Sequence, residues 1–154
     1  MTVSLSIIIP VLNEQDGISL FLEQARPSVD AALALIGPEA AAEYLFVDDG
    51  SSDRTPDILS ILAGLHSDVR AVRLSRNFGK EAALAAGLRH ALGDAVIPMD
   101  VDLQDPPEVV PQMVAAWLGG AKVVNARRVD RSADSKFKRW TAAIFYRLIN
   151  AMAE

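Results

Sequence analysis

No cysteine occurs in the 154 residues, which excludes a disulfide framework and any thiolate-bound metal. Histidine is almost as scarce. His66 and His90 are the only two, one at the end of a helical pattern and one inside another, so a zinc site lacks ligands. No run approaches the roughly 18 apolar residues of a membrane-spanning helix. The opening MTVSLSIIIPVLNE has neither the basic start nor the small-residue cleavage site of a secretory signal, so the chain as given reads as a soluble, cytoplasmic domain. Neither G-x-x-x-x-G-K-S/T nor G-x-G-x-x-G is present, which argues against a P-loop enzyme and a dinucleotide oxidoreductase.

What is present is an ordinary globular composition, 51% hydrophobic and 23% charged, with enough length for one cored domain. The net charge of −5 conceals an asymmetry. From Lys122 onward there are eight Lys or Arg against three acids, so the end carries +5 and the first 121 residues carry −10. A basic end on an acidic body suits an anionic partner, and a solvated basic face fits equally well.

Short apolar runs alternate with longer helical patterns, which predicts an α/β domain built on a mainly parallel sheet. The expected strands are LSIIIP (5–10), EYLFVD (43–48), VRAVRL (69–74), DAVIPM (94–99) and AKVVNA (121–126). Helices are expected near 15–36, 55–65, 80–92 and 107–118, with Pro27 kinking or splitting the first. Thr55-Pro56 reads as a cap followed by a first-turn proline. Asp105-Pro106-Pro107-Glu108 reads the same way, with Glu108 placed as in a capping box.

Four strands end in polar tips: IIIPVLNE, FVDDGSSD, RLSRNFGKE and IPMDVDLQD. In an open parallel sheet, ligands bind beyond the carboxyl ends of the strands, so four such tips describe one site. Asp100, Asp102 and Gln104 alternate by two, and an extended segment turns them to one face. Hard oxygen ligands suit Mg²⁺ or Mn²⁺ held between carboxylates and substrate phosphates. Asp48 and Asp49 precede Gly50 and can accept hydrogen bonds from a base or a ribose. Arg76 and Lys80 flank a helix start, a favourable place for phosphate, although Asn77 there also suits plain helix capping.

In this order the motifs resemble glycosyltransferase family 2, whose catalytic domain has the GT-A (Rossmann-like) fold; SRNFGKEAAL followed by MDVDLQDPP carries the resemblance. It is strongest to the polyprenyl-phosphate glycosyltransferases and dolichol-phosphate mannose synthases. The resemblance implies a nucleotide pocket lined by Pro10, Asn13, Glu14, Asp48, Asp49, Asn77, Lys80 and Asp100, with Arg76 near the diphosphate. It implies a metal (Mg²⁺ or Mn²⁺) on Asp100, Asp102 and Gln104, and an acceptor phosphate near Arg127, Arg128 and Arg131. The implied reaction is inverting transfer of a sugar from a nucleotide diphosphate, a UDP-sugar by preference, to a polyprenyl phosphate. Alternatives are a family 2 transferase with a soluble or polysaccharide acceptor, and a nucleotide-sugar-binding module without turnover.

The resemblance also implies a catalytic carboxylate in a Gly-Asp stretch beyond residue 154, usually followed by membrane segments, with Asp130 and Asp134 as poor substitutes. The chain therefore reads as a GT-A donor-binding domain (1–131) followed by a basic amphipathic helix (132–154). In KFKRWTAAIFYRLINAM, Phe137, Trp140, Ile144, Leu148 and Met152 recur at helical spacing among Lys and Arg. That pattern suits a membrane surface or docking on the sheet, and the resemblance favours the membrane's cytoplasmic face. Implied partners are a nucleotide-diphosphate sugar, a polyprenyl phosphate and that surface. Self-association is left open, and nucleic acid is not among the partners.

Overall fold

A computed structural model describes residues 3–126. Four strands, β1 (Val3–Val11), β2 (Ala41–Asp48), β3 (Val69–Arg73) and β4 (Ala95–Pro98), form one sheet in the order β3-β2-β1-β4, with every pair parallel. The helices are α1 (Ile18–Ile36), α2 (Thr55–Leu65), α3 (Lys80–His90) and α4 (Val110–Leu118), and a 3₁₀ turn over Pro107–Val109 leads into the last. The compact unit reaches to Val124. The expected boundary at 131/132 and the expected helix over 132–154 lie outside the described residues.

Alternation along the central strands creates the layers. Leu5, Ile7, Ile9 and Val11 share one face with Tyr44 and Phe46, and there they meet Ile18, Phe21, Leu22, Ala25 and Val29 of α1, Leu59 of α2, and Val110 and Val114 of α4. Ile8, Leu45 and Val47 face the other way and pack on Ala83 of α3. Both faces are therefore covered, which is why these strands read as near-continuous apolar runs. Each fully buried large side chain contributes about 1.5–3 kcal/mol. On the α3 face, Gly87 permits the close approach: a Cβ there would lie 2.4 Å from Ile8 Cγ2.

Three local expectations are corrected. Pro27 does not split the first helix: it lies inside α1, which runs from Ile18 to Ile36. Its ring is on the exposed side, so the Glu23 carbonyl it leaves unpaired faces water, while the buried stripe holds the helix together. Residues 121–126 form no strand. β4 is only four residues long, Val123 is 78% exposed, and the segment finds no strand partner among the described residues. Thr55 does not cap as expected: it is the first residue of α2, Arg54 precedes it without a cap bond of its own, and the Thr55 N–H donates to Asp53 Oδ1 at 2.9 Å.

One buried polar cluster ties α3 to the sheet. Glu43, 3% exposed, accepts from the Ser6 hydroxyl at 2.5 Å, from the Leu92 N–H at 2.6 Å and from Arg70. Ser6 Oγ in turn accepts from the Gly93 N–H at 2.8 Å, and Arg70 also donates to the His90 carbonyl. The cluster therefore joins β1, β2 and β3 to the turn between α3 and β4. Burial opposes ionisation of Glu43, but the bonds from Ser6, the Leu92 amide and Arg70 outweigh it, and its pKa lies below the ordinary glutamate value. A lowered native pKa means that the unfolded chain binds the extra proton first, so this stabilisation is complete above about pH 4.5 and is lost as the pH falls further. Glu43→Gln is expected to cost about 1–3 kcal/mol at pH 7. It should also flatten the decline in stability below pH 4.5, as measured by urea unfolding across pH. A wild-type acid slope in this variant would contradict the assignment.

Candidate active site

All four strands point the same way, so their carboxyl ends form one rim. Val11, Asp48 and Arg73 lie level across β1, β2 and β3, whereas β4 stops at Pro98 opposite Ile8. The last rung between β1 and β4 runs from the Met99 N–H to the Ile8 carbonyl at 2.9 Å. The next would need an N–H from Pro10, which has none. Pro10 thus ends this ladder and lets the chain leave the sheet at Asp100. The crevice opens at the point where strand order reverses, between β1 and β4, the usual ligand position in such sheets.

The first two tips are stitched together. Asn13, at φ 57°, donates its N–H to Ser51 Oγ at 2.9 Å, and its own carboxamide oxygen accepts the Ser52 N–H at 2.9 Å. The Glu14 N–H donates to Thr55 Oγ1 at 2.9 Å, which is where the Thr55 hydroxyl goes instead of capping its helix. Asp53 accepts from the Gln15 and Thr55 amides. Its slight burial would raise its pKa, but the bonds from Thr55 and Gln15 prevail and lower it.

Asp48 and Asp49 are both buried and both engaged. Asp48 Oδ1 accepts the Ser51 N–H at 2.8 Å, while Oδ2 lies 3.3 Å from Arg73 Nε without hydrogen-bond geometry. Asp49 accepts the Phe78 N–H on one oxygen and the Gly79 N–H on the other, each at 2.8 Å. Asn77 Oδ1 shares the Gly79 N–H at 3.0 Å. These amides immediately precede α3, so the carboxylate fastens the approach to the helix. Cationic side chains are left to meet a diphosphate: Arg76, stacked 4.7 Å over the Phe78 ring, and Lys80. Gly50 completes the joint. At φ 76° a side chain would be strained, and a Cβ would fall 2.5 Å from the Arg76 carbonyl carbon.

The third and fourth tips meet directly, with Lys80 Nζ 2.6 Å from Asp100 Oδ1. The expected extended run through Asp100, Asp102 and Gln104 is corrected. Val101 and Asp102 form a turn, the Leu103 N–H donates to the Asp100 carbonyl at 3.2 Å, and Leu103 itself sits at φ 56°. Buried Val101 and half-buried Leu103 pull the chain inward, and that bends the segment away from a strand. A left-handed leucine costs about 1–2 kcal/mol. Asp102 Oδ1 accepts the Gln104 N–H at 3.1 Å. Among the described residues no three acids or histidines cluster as a ready metal cage. Two carboxylates and an amide supply hard oxygens only, a donor set that fits Mg²⁺ or Mn²⁺ sharing its shell with phosphate oxygens.

Pro10, Asn13, Glu14, Asp48, Asp49, Arg76, Asn77, Lys80, Asp100, Asp102 and Gln104 therefore all belong to one rim. Arg127, Arg128 and Arg131 lie outside the described residues. Ser51 and Asp53, which help hold the rim together, were not singled out from sequence, and Thr55 was read only as a helix cap. The signal for the first two was the polar run GSSDRT behind a strand.

The fold is GT-A-like. Its solved neighbours include the mannosyltransferase PcManGT from Pyrobaculum calidifontis in complex with GDP-Man and Mn²⁺, with 30% identity, a TM-score of 0.53, and coverage of 64% of this chain and 27% of that one. S. aureus TarS 1-349 in complex with UDP-GlcNAc aligns at 25% identity and TM-score 0.55, over 84% of this chain and 37% of that one. The chain belongs to glycosyl transferase family 2, whose profile matches residues 6–153. The prophage bactoprenol glucosyl transferase homolog of Escherichia coli (strain K12) is 44% identical over 149 residues, 97% of this chain and 47% of that protein. The undecaprenyl-phosphate 4-deoxy-4-formamido-L-arabinose transferase of Edwardsiella ictaluri is 43% identical over 97% of this chain and 43% of that protein. The chain spans about half the length of the curated relatives it matches.

Replacing Asp49 by Ala removes the acceptor of two backbone amides, and a loss of about 2–3 kcal/mol is expected. Hydrogen exchange should speed up at Phe78 and Gly79 ahead of the sheet amides. Unchanged exchange there would remove Asp49 from this role.

Proposed function

We propose that this chain is the donor-binding part of a metal-dependent inverting glycosyltransferase that moves a sugar from a nucleotide diphosphate, preferably a UDP-sugar, to a polyprenyl phosphate. The observation that carries the reading is the joined rim: Lys80 at the start of α3 meets the metal-suited carboxylate of Asp100 at the strand-order switch of a family 2 fold. The names of the relatives support a polyprenyl-phosphate acceptor. The solved neighbours support a nucleotide-sugar donor and a divalent cation.

In this reading Asn13, Glu14 and Asp49 border the nucleoside, and Asp49 uses remaining lone pairs, since each carboxylate oxygen accepts more than one bond. Lys80 and Arg76 bind and orient the diphosphate through charge-assisted hydrogen bonds. Asp100, Asp102 and Gln104 hold the cation. When bound, that cation supplies positive charge against the departing diphosphate. The acceptor phosphate is already anionic and needs positioning more than deprotonation, the role assigned to Arg127, Arg128 and Arg131. The basic amphipathic pattern of 136–152 would bring this end to the cytoplasmic membrane face, where a lipid-linked acceptor lies.

A second reading follows from coverage. In it the chain, which spans about half the length of its relatives, binds a nucleotide sugar without turning it over.

Calorimetric titration with UDP and GDP, each with and without Mn²⁺, tests the proposal. UDP is expected to bind about tenfold or more tightly with Mn²⁺, GDP more weakly, and Asp102→Ala should lose the Mn²⁺ increment. Equal UDP affinity with and without Mn²⁺ would overturn the metal-dependent reading.

A further inference from the structure

Lys80 is the one cation paired with a proposed metal ligand among the described residues. Its ammonium lies 2.6 Å from Asp100 Oδ1, in a pair whose side chains are 56% and 41% exposed. An ammonium offers donors and a point charge but no lone pair. It cannot enter the shell of a divalent cation. Although the carboxylate has lone pairs for both, two positive charges on one carboxylate repel, so the ammonium and the cation compete electrostatically for Asp100. The competition is between unequal rivals. A half-exposed ion pair is weak, and the lysine has a second anion within reach if a diphosphate enters the crevice. Its backbone attachment is firm, because the residue before it is fastened by Asp49. The side chain can thus change partners while the helix start stays in place.

We infer that Lys80 is a placeholder for the metal: it neutralises Asp100 in the empty site, yields the carboxylate when a divalent cation binds, and transfers to the diphosphate. This rests on the reading of Asp100 and Asp102 as metal ligands. The exchange makes metal and nucleotide binding cooperative. Each ligand removes one competitor of the other, because diphosphate draws Lys80 from Asp100 and metal frees Lys80 for diphosphate. By linkage the enhancement is the same in both directions. It also keeps two exposed carboxylates from recruiting cations in the absence of donor. Lys80 is therefore a positioning and ordering residue for donor binding.

The test is binding of Mn²⁺ alone to the nucleotide-free chain, followed by the electron paramagnetic resonance signal of the free ion. Lys80→Met should bind Mn²⁺ about 2- to 5-fold more tightly than the wild type, the factor expected for removing a half-exposed ion pair. Lys80→Arg, which keeps a cation beside Asp100, should restore weak binding. In calorimetry the same Lys80→Met chain should bind UDP about tenfold more weakly with saturating Mn²⁺, and Mn²⁺ should enhance its UDP binding less than in the wild type. A purely structural lysine would not tighten metal binding when removed. Mn²⁺ binding that depends on Asp102 but is equal or weaker in Lys80→Met overturns the placeholder and leaves the metal site standing. Absence of Mn²⁺ binding in both chains, with and without UDP, overturns the metal site and the placeholder together.

Discussion

The Asp49 carboxylate, accepting the Phe78 and Gly79 amides at 2.8 Å each, is the joint on which the rim depends. It converts a strand end on β2 and a loop after β3 into one rigid piece, and the loop leads straight into α3. Lys80 follows the second of those amides, so its reach to Asp100 just beyond β4 is set by a carboxylate 31 positions earlier in the chain. Gly50 makes the joint possible, since any side chain there would meet the Arg76 backbone. The Asp49 carboxylate thereby holds the two residues that lead into α3.

Two further constraints set the shape of the crevice. Pro10 withholds the N–H that would extend the β1–β4 ladder, and the short β4 turns off at Asp100. Glu43 and Ser6 hold the turn after α3 from beneath, so the helix is anchored at its far end by one buried carboxylate and at its near end by another. A helix fixed at both ends presents Lys80 from a stable position. The stitching of Asn13 and Glu14 to Ser51, Ser52 and Thr55 does the same for the other wall. Most polar groups of the rim are thus engaged in building it, and a small set of charged side chains is left to meet a ligand: Arg76, Lys80, Asp100 and Asp102. That division suits a donor site in which the protein supplies few metal ligands and the substrate supplies the rest.

Much of this was legible without coordinates. Runs such as LSIIIP and EYLFVD could only be buried parallel strands, because their apolar character is nearly continuous and their neighbours are helical. The convergence of four polar tips followed from that topology. The errors came where local pattern met tertiary competition. AKVVNA has strand composition, but a strand needs a partner, and β4 does not provide one for it here. Pro27 is a helix breaker by propensity, but a buried stripe on the opposite side outweighs one carbonyl bond turned to solvent. MDVDLQ alternates like an extended segment, but the burial of Val101 and Leu103 bends it into a turn. Thr55 has the residue type of a cap, but the amide of Glu14, 41 positions away, claims its hydroxyl.

The sequence by itself determined which residues are apolar and with what period, and hence the parallel sheet, the helices and the rim at which polar tips gather. It also determined the chemical type of the site, because hard oxygens with lysine and arginine, and no cysteine, leave few choices of ligand. Only the tertiary structure decided which carboxylates are consumed in building the rim and which are left to meet a ligand. Asp49 and Asp100 are the same residue type behind similar strands. The first is enclosed by two amides and the second is met by one half-exposed ammonium, and the difference arises from what the fold brings within hydrogen-bonding distance across dozens of residues.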